Sequence, residues 1–287
     1  MKNRIKIALS ITISSFSILL ISVICIVYTV TNPKNSNTAD LSDCNYFIAH
    51  ATGSLEGYTY LNCKESLLSS LEKGYKYIEI DLQQTADGEL VCVHDWEQFN
   101  KMTIPNLCEQ DSNIYMRIPT LKEFCKRKIY KKYSPLTLKD LLLIRKTNPF
   151  IIVTDIICNS ETLNRYFEKK TRNNVMVEAF SEKDYHELKK NGYTPMLSIG
   201  CVRHFDCISF IISHLYKNDI EWITVEQHSS IRSLRLIKKL FNIKIALYTV
   251  NSPRFFKWHL GKDIDLIYTD NWDPQKQINT YQDNTTH

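Results

Sequence analysis

From Tyr46 to Thr269 the chain alternates short apolar runs with amphipathic stretches. Tyr46-Phe47-Ile48-Ala49 reads as a short strand. Lys64 to Lys73 carries Leu67, Leu68 and Leu71 on one helical face, and Gly74 follows where a left-handed residue would end the helix. Tyr75 to Leu82 is rich in β-formers, and Asp87-Gly88 is a turn signal joining it to Leu90-Val91-Cys92-Val93. The rhythm then repeats: a helix from Thr137, its N-cap, to Arg145, and strands over 150–155 and 175–180. A helix opens on Ser181 in a capping-box-like Ser-Glu-Lys-Asp and closes at Asn191-Gly192. Strands follow over 193–199, 222–225, 243–250 and 266–269, with a helical stretch over 229–240. Strands alternating with helices predict a parallel sheet, and about eight strands in about 240 residues predict a (β/α)8 TIM barrel rather than an open sheet. No glycine-rich phosphate loop follows the first strand, which argues against a nucleotide-binding doubly wound fold. Residues 106–133 are irregular and polar and read as an insertion over one end of the barrel.

The N-terminus has a different pattern. Residues Ile7 to Thr31 contain no charged side chain, which is long enough for a helix that crosses a bilayer in about 20 residues. The run exceeds the roughly 7–15 residues of a cleavable signal core, and no small-residue cleavage site follows it. Lys2, Arg4 and Lys6 precede it, so the positive-inside rule keeps residues 1–6 cytoplasmic and places the rest of the chain outside. The expected organisation is a signal anchor over 7–31, a polar linker over 32–44, a barrel over 45–275 and a polar tail over 276–287. This predicts a single-pass membrane protein with an extracytoplasmic barrel.

Composition changes little in this picture. Of 287 residues, 44% are hydrophobic and 23% charged, as in a globular chain. The net charge of +5 forms no basic stripe with interleaved aromatics, so nucleic acid is not an expected partner. Gly occurs only seven times, so each should mark a turn or cap. Nine cysteines are present, eight of them outside the anchor, and an even number there permits disulfides. No C-x-x-C pair occurs, and cysteines such as Cys92 sit in apolar runs, where a thiol usually packs as a small hydrophobe.

The chemistry gathers at the ends of the early strands, where barrels place their active sites. The first strand ends in His50, the second carries Glu79 and Asp81, the next run ends in His94-Asp95, and a later strand ends in Asp155. Glu79 and Asp81 are two apart, so they share one face of their strand, while Ile78, Ile80 and Leu82 share the other. Two carboxylates buried side by side repel, and a divalent cation relieves that repulsion. An all-oxygen set with Asp155 as a third member suits Mg²⁺ or Ca²⁺ rather than zinc. His50 and His94 are the natural proton carriers beside it, since an imidazole gives or takes a proton near neutral pH. A phosphodiester held by such a cation becomes electrophilic at phosphorus.

Ile48-Ala49-His50, Asn62, Gly74 to Leu82, Thr85 to Val91, and His94-Asp95 together resemble the glycerophosphodiester phosphodiesterase family in order and spacing. Pro119 to Glu123, Tyr248 to Asn251 and Tyr268-Thr269-Asp270 are similar to its later landmarks. The resemblance covers most of residues 45–275. It implies a phospholipase C-like (β/α)8 barrel, phosphodiester hydrolysis, His50 and His94 as acid and base, and Glu79, Asp81 and Asp155 holding Ca²⁺ or Mg²⁺. The chain departs from the family where its usual His-Arg-Gly is His50-Ala51-Thr52, where a Glu is replaced by Leu61, and where the Lys of Glu-x-Lys is replaced by Ile157. These departures bear on head-group recognition more than on cleavage. The expected substrate is a glycerophosphodiester, a phospholipid head group or a phosphate-linked envelope polymer. A lyase that forms a cyclic phosphate, and a barrel that binds an envelope component without cleaving it, are the competing readings.

Overall fold

A computed structural model describes residues 40–104, 115–156, 160–200, 202–214 and 219–273, with Ser17, Ile21 and Tyr28. The predicted anchor (apart from those three residues), most of the linker, Ile157 and the polar tail lie outside the described residues. Among the described residues no helix is long and apolar enough to cross a membrane.

Eight strands close a parallel barrel: β1 (Phe47–Ala49), β2 (Tyr77–Gln84), β4 (Ile151–Ile156), β5 (Val175–Ala179), β6 (Thr194–Ser198), β7 (Trp222–Glu226), β8 (Lys244–Tyr248) and β9 (Leu266–Thr269). β1 pairs in parallel with both β2 and β9, which completes the ring. The ninth strand, β3 (Leu90–Cys92), is not a stave. It folds back antiparallel onto the far end of β2, with Leu82 opposite Cys92 and Gln84 opposite Leu90. The apolar run 90–93 therefore belongs to a hairpin above the barrel mouth.

The helices are α1 (Lys64–Glu72), α2 (Trp96–Thr103), α3 (Leu121–Lys126), α4 (Leu138–Thr147), α5 (Ser160–Asn164), α6 (Glu182–Lys190), α7 (His204–His214), α8 (Ile231–Phe241) and α9 (Pro253–His259). Their starts follow the sequence signals. Thr137 and Ser181 cap α4 and α6, each accepting a hydrogen bond from the backbone N–H of the third residue of its helix. All seven glycines have positive φ; Gly74, at +87°, turns the chain out of α1 into β2. Within the stretch read as an irregular insertion, residues 115–133 carry regular structure. They contain α3, opened by a full capping box of Thr120 and Glu123. The side chain of Phe124 carries α3 into a second core with Leu61, Val93, Trp96 and Phe99 under the hairpin.

Period-two alternation separates the two main cores. Ile78, Ile80 and Leu82 of β2 face outward and pack with Leu67, Leu138 and Leu141 of α1 and α4. Ile48, Val153, Met176, Met196, Ala246 and Leu266 face inward and plug the barrel. Above this plug the inward positions turn acidic. The cysteines within the described residues, Cys44, Cys63, Cys92, Cys125 and Cys207, are free thiols, and Cys63, Cys92 and Cys207 are buried. Cys63 caps α1, its sulfur accepting from the Ser66 N–H.

Candidate active site

Asp81, Asp155 and Glu178 sit one layer above the apolar plug. Register places Asp81 beside Asp155 and Asp155 beside Glu178, so three adjacent strands each contribute a carboxylate at one height. Glu79 lies one inward position below Asp81 on β2. One oxygen each from Glu79, Asp81 and Asp155 lies within 4.8 Å of the others. Glu79 and Asp81 are buried. The three acids expected at the metal are thus brought together.

Each acid is held differently. Glu79 Oε2 accepts the Ala51 backbone N–H at 2.5 Å. That N–H points inward because Ala51 and Thr52 take left-handed backbone, φ +46° and +68°, which costs of order 1–3 kcal/mol each and persists only where surroundings impose it. Asp81 Oδ2 accepts from Asn62 Nδ2 at 2.6 Å, and Asn62 Oδ1 accepts the Asp81 N–H at 3.2 Å. Asp155 Oδ1 is buried and has no hydrogen-bond partner. Burial, followed by the charges of Asp81 and Glu178, pushes the Asp155 carboxyl up to about 8. Burial and the charges of Asp81 and Asp155 hold the Glu79 carboxyl well above the ordinary range. An orphaned carboxylate oxygen beside two other acids fits an oxygen-liganded divalent cation.

The two histidines flank the acids but arrive by different routes. His50 follows β1, and its Nδ1 lies 2.8 Å from Asp270 Oδ1 at the end of β9. Asp270 is itself fixed, since Asn251 Nδ2 donates to its Oδ2 at 2.7 Å, and its own N–H donates to Asn251 Oδ1 at 2.8 Å. Burial raises the Asp270 carboxyl, but the hydrogen bonds from His50 and Asn251 outweigh it and leave it below the ordinary value. An ionised Asp270 accepts, so the His50 proton sits on Nδ1 and Nε2 is left for chemistry. His94 follows not a stave but the second strand of the hairpin that the Asp87-Gly88 turn signal announced. The hairpin returns it to the mouth, with the Val93 N–H donating to Asp81 O at 2.8 Å. Its Nδ1 lies 2.9 Å from Oδ2 of Asp95, the N-cap of α2.

Together these groups line a cavity of about 220 Å³ with Tyr60, Glu178, Phe180, Tyr248, Thr249 and Tyr268. Among the described residues no Lys or Arg lines it. A larger groove of about 930 Å³ lies outside the barrel beside α4, away from the histidines and the three acids. Four contributors were not assigned from sequence. Asp270 and Asn251 stand in stretches whose spacing was familiar, yet nothing local showed them to be partners of His50. Glu178 was readable in principle, because it alternates in phase with inward Met176; burial raises its carboxyl, and Thr224 Oγ1 donates to it. Tyr60 lies in a loop without periodicity. Tyr248 packs with Trp222 against the inner core and also lines the cavity.

A closed parallel barrel with a polyacidic mouth flanked by two carboxylate-bound imidazoles defines a phosphodiesterase type of architecture. The profile of the Glycerophosphoryl diester phosphodiesterase family matches residues 56–239, and the chain belongs to that family of phosphoric diester hydrolases. No curated protein sequence matches it. Among solved structures it is similar to the glycerophosphodiester phosphodiesterase of Thermotoga maritima, at 20% identity and a TM-score of 0.57, covering 86% of this chain and 99% of that one. A phosphodiesterase of Oleispira antarctica, in complex with the product sn-glycerol-3-phosphate, is 18% identical with a TM-score of 0.59, covering 83% of this chain and 96% of that one. A glycerophosphoryl diester phosphodiesterase of Parabacteroides distasonis is 15% identical with a TM-score of 0.59, over 85% and 93%. At these identities the likeness concerns the fold.

Proposed function

We propose that this chain hydrolyses a phosphodiester with a divalent cation, Mg²⁺ or Ca²⁺, bound by Glu79, Asp81 and Asp155, and with His50 and His94 moving the protons. The observation that carries this reading is the convergence of three acids, one with an orphaned oxygen, between two imidazoles. When bound, the cation neutralises phosphoryl charge and makes phosphorus electrophilic. His50 Nε2 takes the proton from the attacking water, and ionised Asp270 stabilises the resulting imidazolium. His94 stands at the rim, where the leaving alkoxide departs, and gives it a proton. Asn62 and the Ala51 N–H keep two of the carboxylates from turning away. The substrate is a glycerophosphodiester, a phospholipid head group or a phosphate-linked envelope polymer. The apolar run over 7–31 anchors the chain in a membrane with the barrel outside.

The test is hydrolysis of glycerophosphodiesters and bis-(p-nitrophenyl) phosphate by the full-length chain, with Mg²⁺ or Ca²⁺ and then with chelator. Turnover lost on chelation and in Glu79→Gln is expected, with an acyclic phosphomonoester as product. A cyclic phosphate would shift the reading to a lyase. A folded protein that binds the cation yet cleaves no diester would point to a binding barrel.

A further inference from the structure

The loop 58–62 spends backbone strain on a residue the mechanism above leaves idle. Tyr60 and Asn62 both have left-handed φ, +55° and +45°. Asn62 uses this to grip Asp81. The neighbours are pinned as well, Leu61 in the core beneath the hairpin and Tyr58 stacked on Tyr130 at 4.3 Å. Between these fixed points Tyr60 turns into the mouth. Its ring meets His50 edge-on at 4.5 Å between centroids and meets His94 edge-on at 5.4 Å. It is therefore wedged between both imidazoles and lines the cavity. Its hydroxyl makes no hydrogen bond to any described residue. Burial, together with the charges of Asp270, Asp81, Glu79 and Asp155, raises its pKa and keeps it an O–H donor. A phosphodiester brings two non-bridging oxygens into a cavity whose described lining holds no Lys or Arg.

We propose that Tyr60 is a substrate-binding residue whose neutral phenol hydroxyl donates a hydrogen bond to a non-bridging phosphoryl oxygen, in a mouth lined by no Lys or Arg among the described residues. This rests on the phosphodiesterase reading above. The ring has a second duty, spacing the two imidazoles across the bound phosphate. Hydroxyl and ring are separable, because Phe keeps the edge-on contacts and removes only the oxygen.

Full-length wild type, Tyr60→Phe, Tyr60→Leu and His50→Ala are compared for turnover of bis-(p-nitrophenyl) phosphate and glycerophosphodiesters with Mg²⁺. Binding of glycerol 3-phosphate is measured by calorimetry alongside. Loss of one hydrogen bond to a charged oxygen predicts a fall in kcat/KM of about 10- to 100-fold in Tyr60→Phe, with weaker glycerol 3-phosphate binding. Its thermal midpoint should stay at the wild-type value, because the hydroxyl has no partner among the described residues. Tyr60→Leu should lose more, the excess appearing in kcat as the imidazoles lose their spacer. Wild-type turnover and binding in Tyr60→Phe, with His50→Ala inactive, would overturn the role of Tyr60 and leave the phosphodiesterase reading standing. A lowered midpoint in Tyr60→Phe with unchanged KM and binding would mark the hydroxyl as structural and also overturn it. A wild-type chain that neither turns over diesters nor binds glycerol 3-phosphate would remove the function and the inference together.

Discussion

His50 and His94 make the same bond at nearly the same length, 2.8 and 2.9 Å from ring Nδ1 to a carboxylate, yet they are constrained very differently. His50 and Asp270 are 11% and 12% exposed, whereas His94 and Asp95 are both 47% exposed. Asp270 comes from the far end of the chain and is clamped by Asn251, while Asp95 is the next residue along and also caps α2. A hydrogen-bond length therefore does not report how firmly an imidazole is held. The buried pair is screened little and sets tautomer and direction, whereas an exposed ion pair contributes roughly 0–1 kcal/mol. On the proposed mechanism the enclosed histidine deprotonates water and the rim histidine protonates the departing group.

That contrast can be sharpened in order of effect. Replacing His50 by Ala should lower kcat/KM by about 10²- to 10⁴-fold, read from steady-state hydrolysis with the cation present. Asp270→Asn should cost about 10²-fold in kcat, because an amide no longer fixes the Nδ1–H tautomer or balances an imidazolium. A kcat in Asp270→Asn close to wild type would show that burial alone orients His50. Asp95→Asn should cost less than about tenfold, as expected for a half-exposed pair. A loss as large as that of Asp270→Asn would break the comparison, since two partners of such different exposure would then count equally.

The smallest effect is on stability. The folded Asp155 carboxyl is raised to about 8 from an unfolded value near the ordinary carboxylate range, so the folded state holds a proton that the unfolded state has released. The stability this group contributes is present below pH 4 and drains away as pH climbs to about 8. The thermal midpoint of the chelated protein should fall over that interval, by roughly 2–4 °C for each kcal/mol lost from a domain of this size. Added Mg²⁺ should raise the midpoint more at pH 8 than at pH 5, because it binds the ionised carboxylates. Scanning calorimetry of wild type and Asp155→Asn would check this, and an Asn variant with the same pH slope would assign the effect to another group.

Much of this was legible from local pattern alone. The alternation in Tyr77 to Leu82 sorts Glu79 and Asp81 inward and Ile78, Ile80 and Leu82 outward, and the structure keeps that sorting because the pleat is a property of the strand itself. Caps at Thr137 and Ser181 and the turn at Gly74 were equally local, depending on the few residues that close one helix end. The Asp87-Gly88 turn likewise announced the hairpin that joins β2 to β3, because a tight turn depends only on its own few residues. Periodicity concealed α3, whose six residues are too few to show a helical period.

The sequence by itself determined which residues carry charge, which strand face each takes, and that two histidines precede and follow a diacid strand. Tertiary structure decided who meets whom. Closure of β1 onto β9 brings Asp270 to His50 across 220 residues, strand register sets Asp155 between Asp81 and Glu178, and the strained loop turns Tyr60 between the imidazoles. The reason is physical. Side-chain direction along a strand or helix is dictated by backbone geometry within a few residues, whereas distances between strands follow from barrel closure and packing, which the whole chain sets at once.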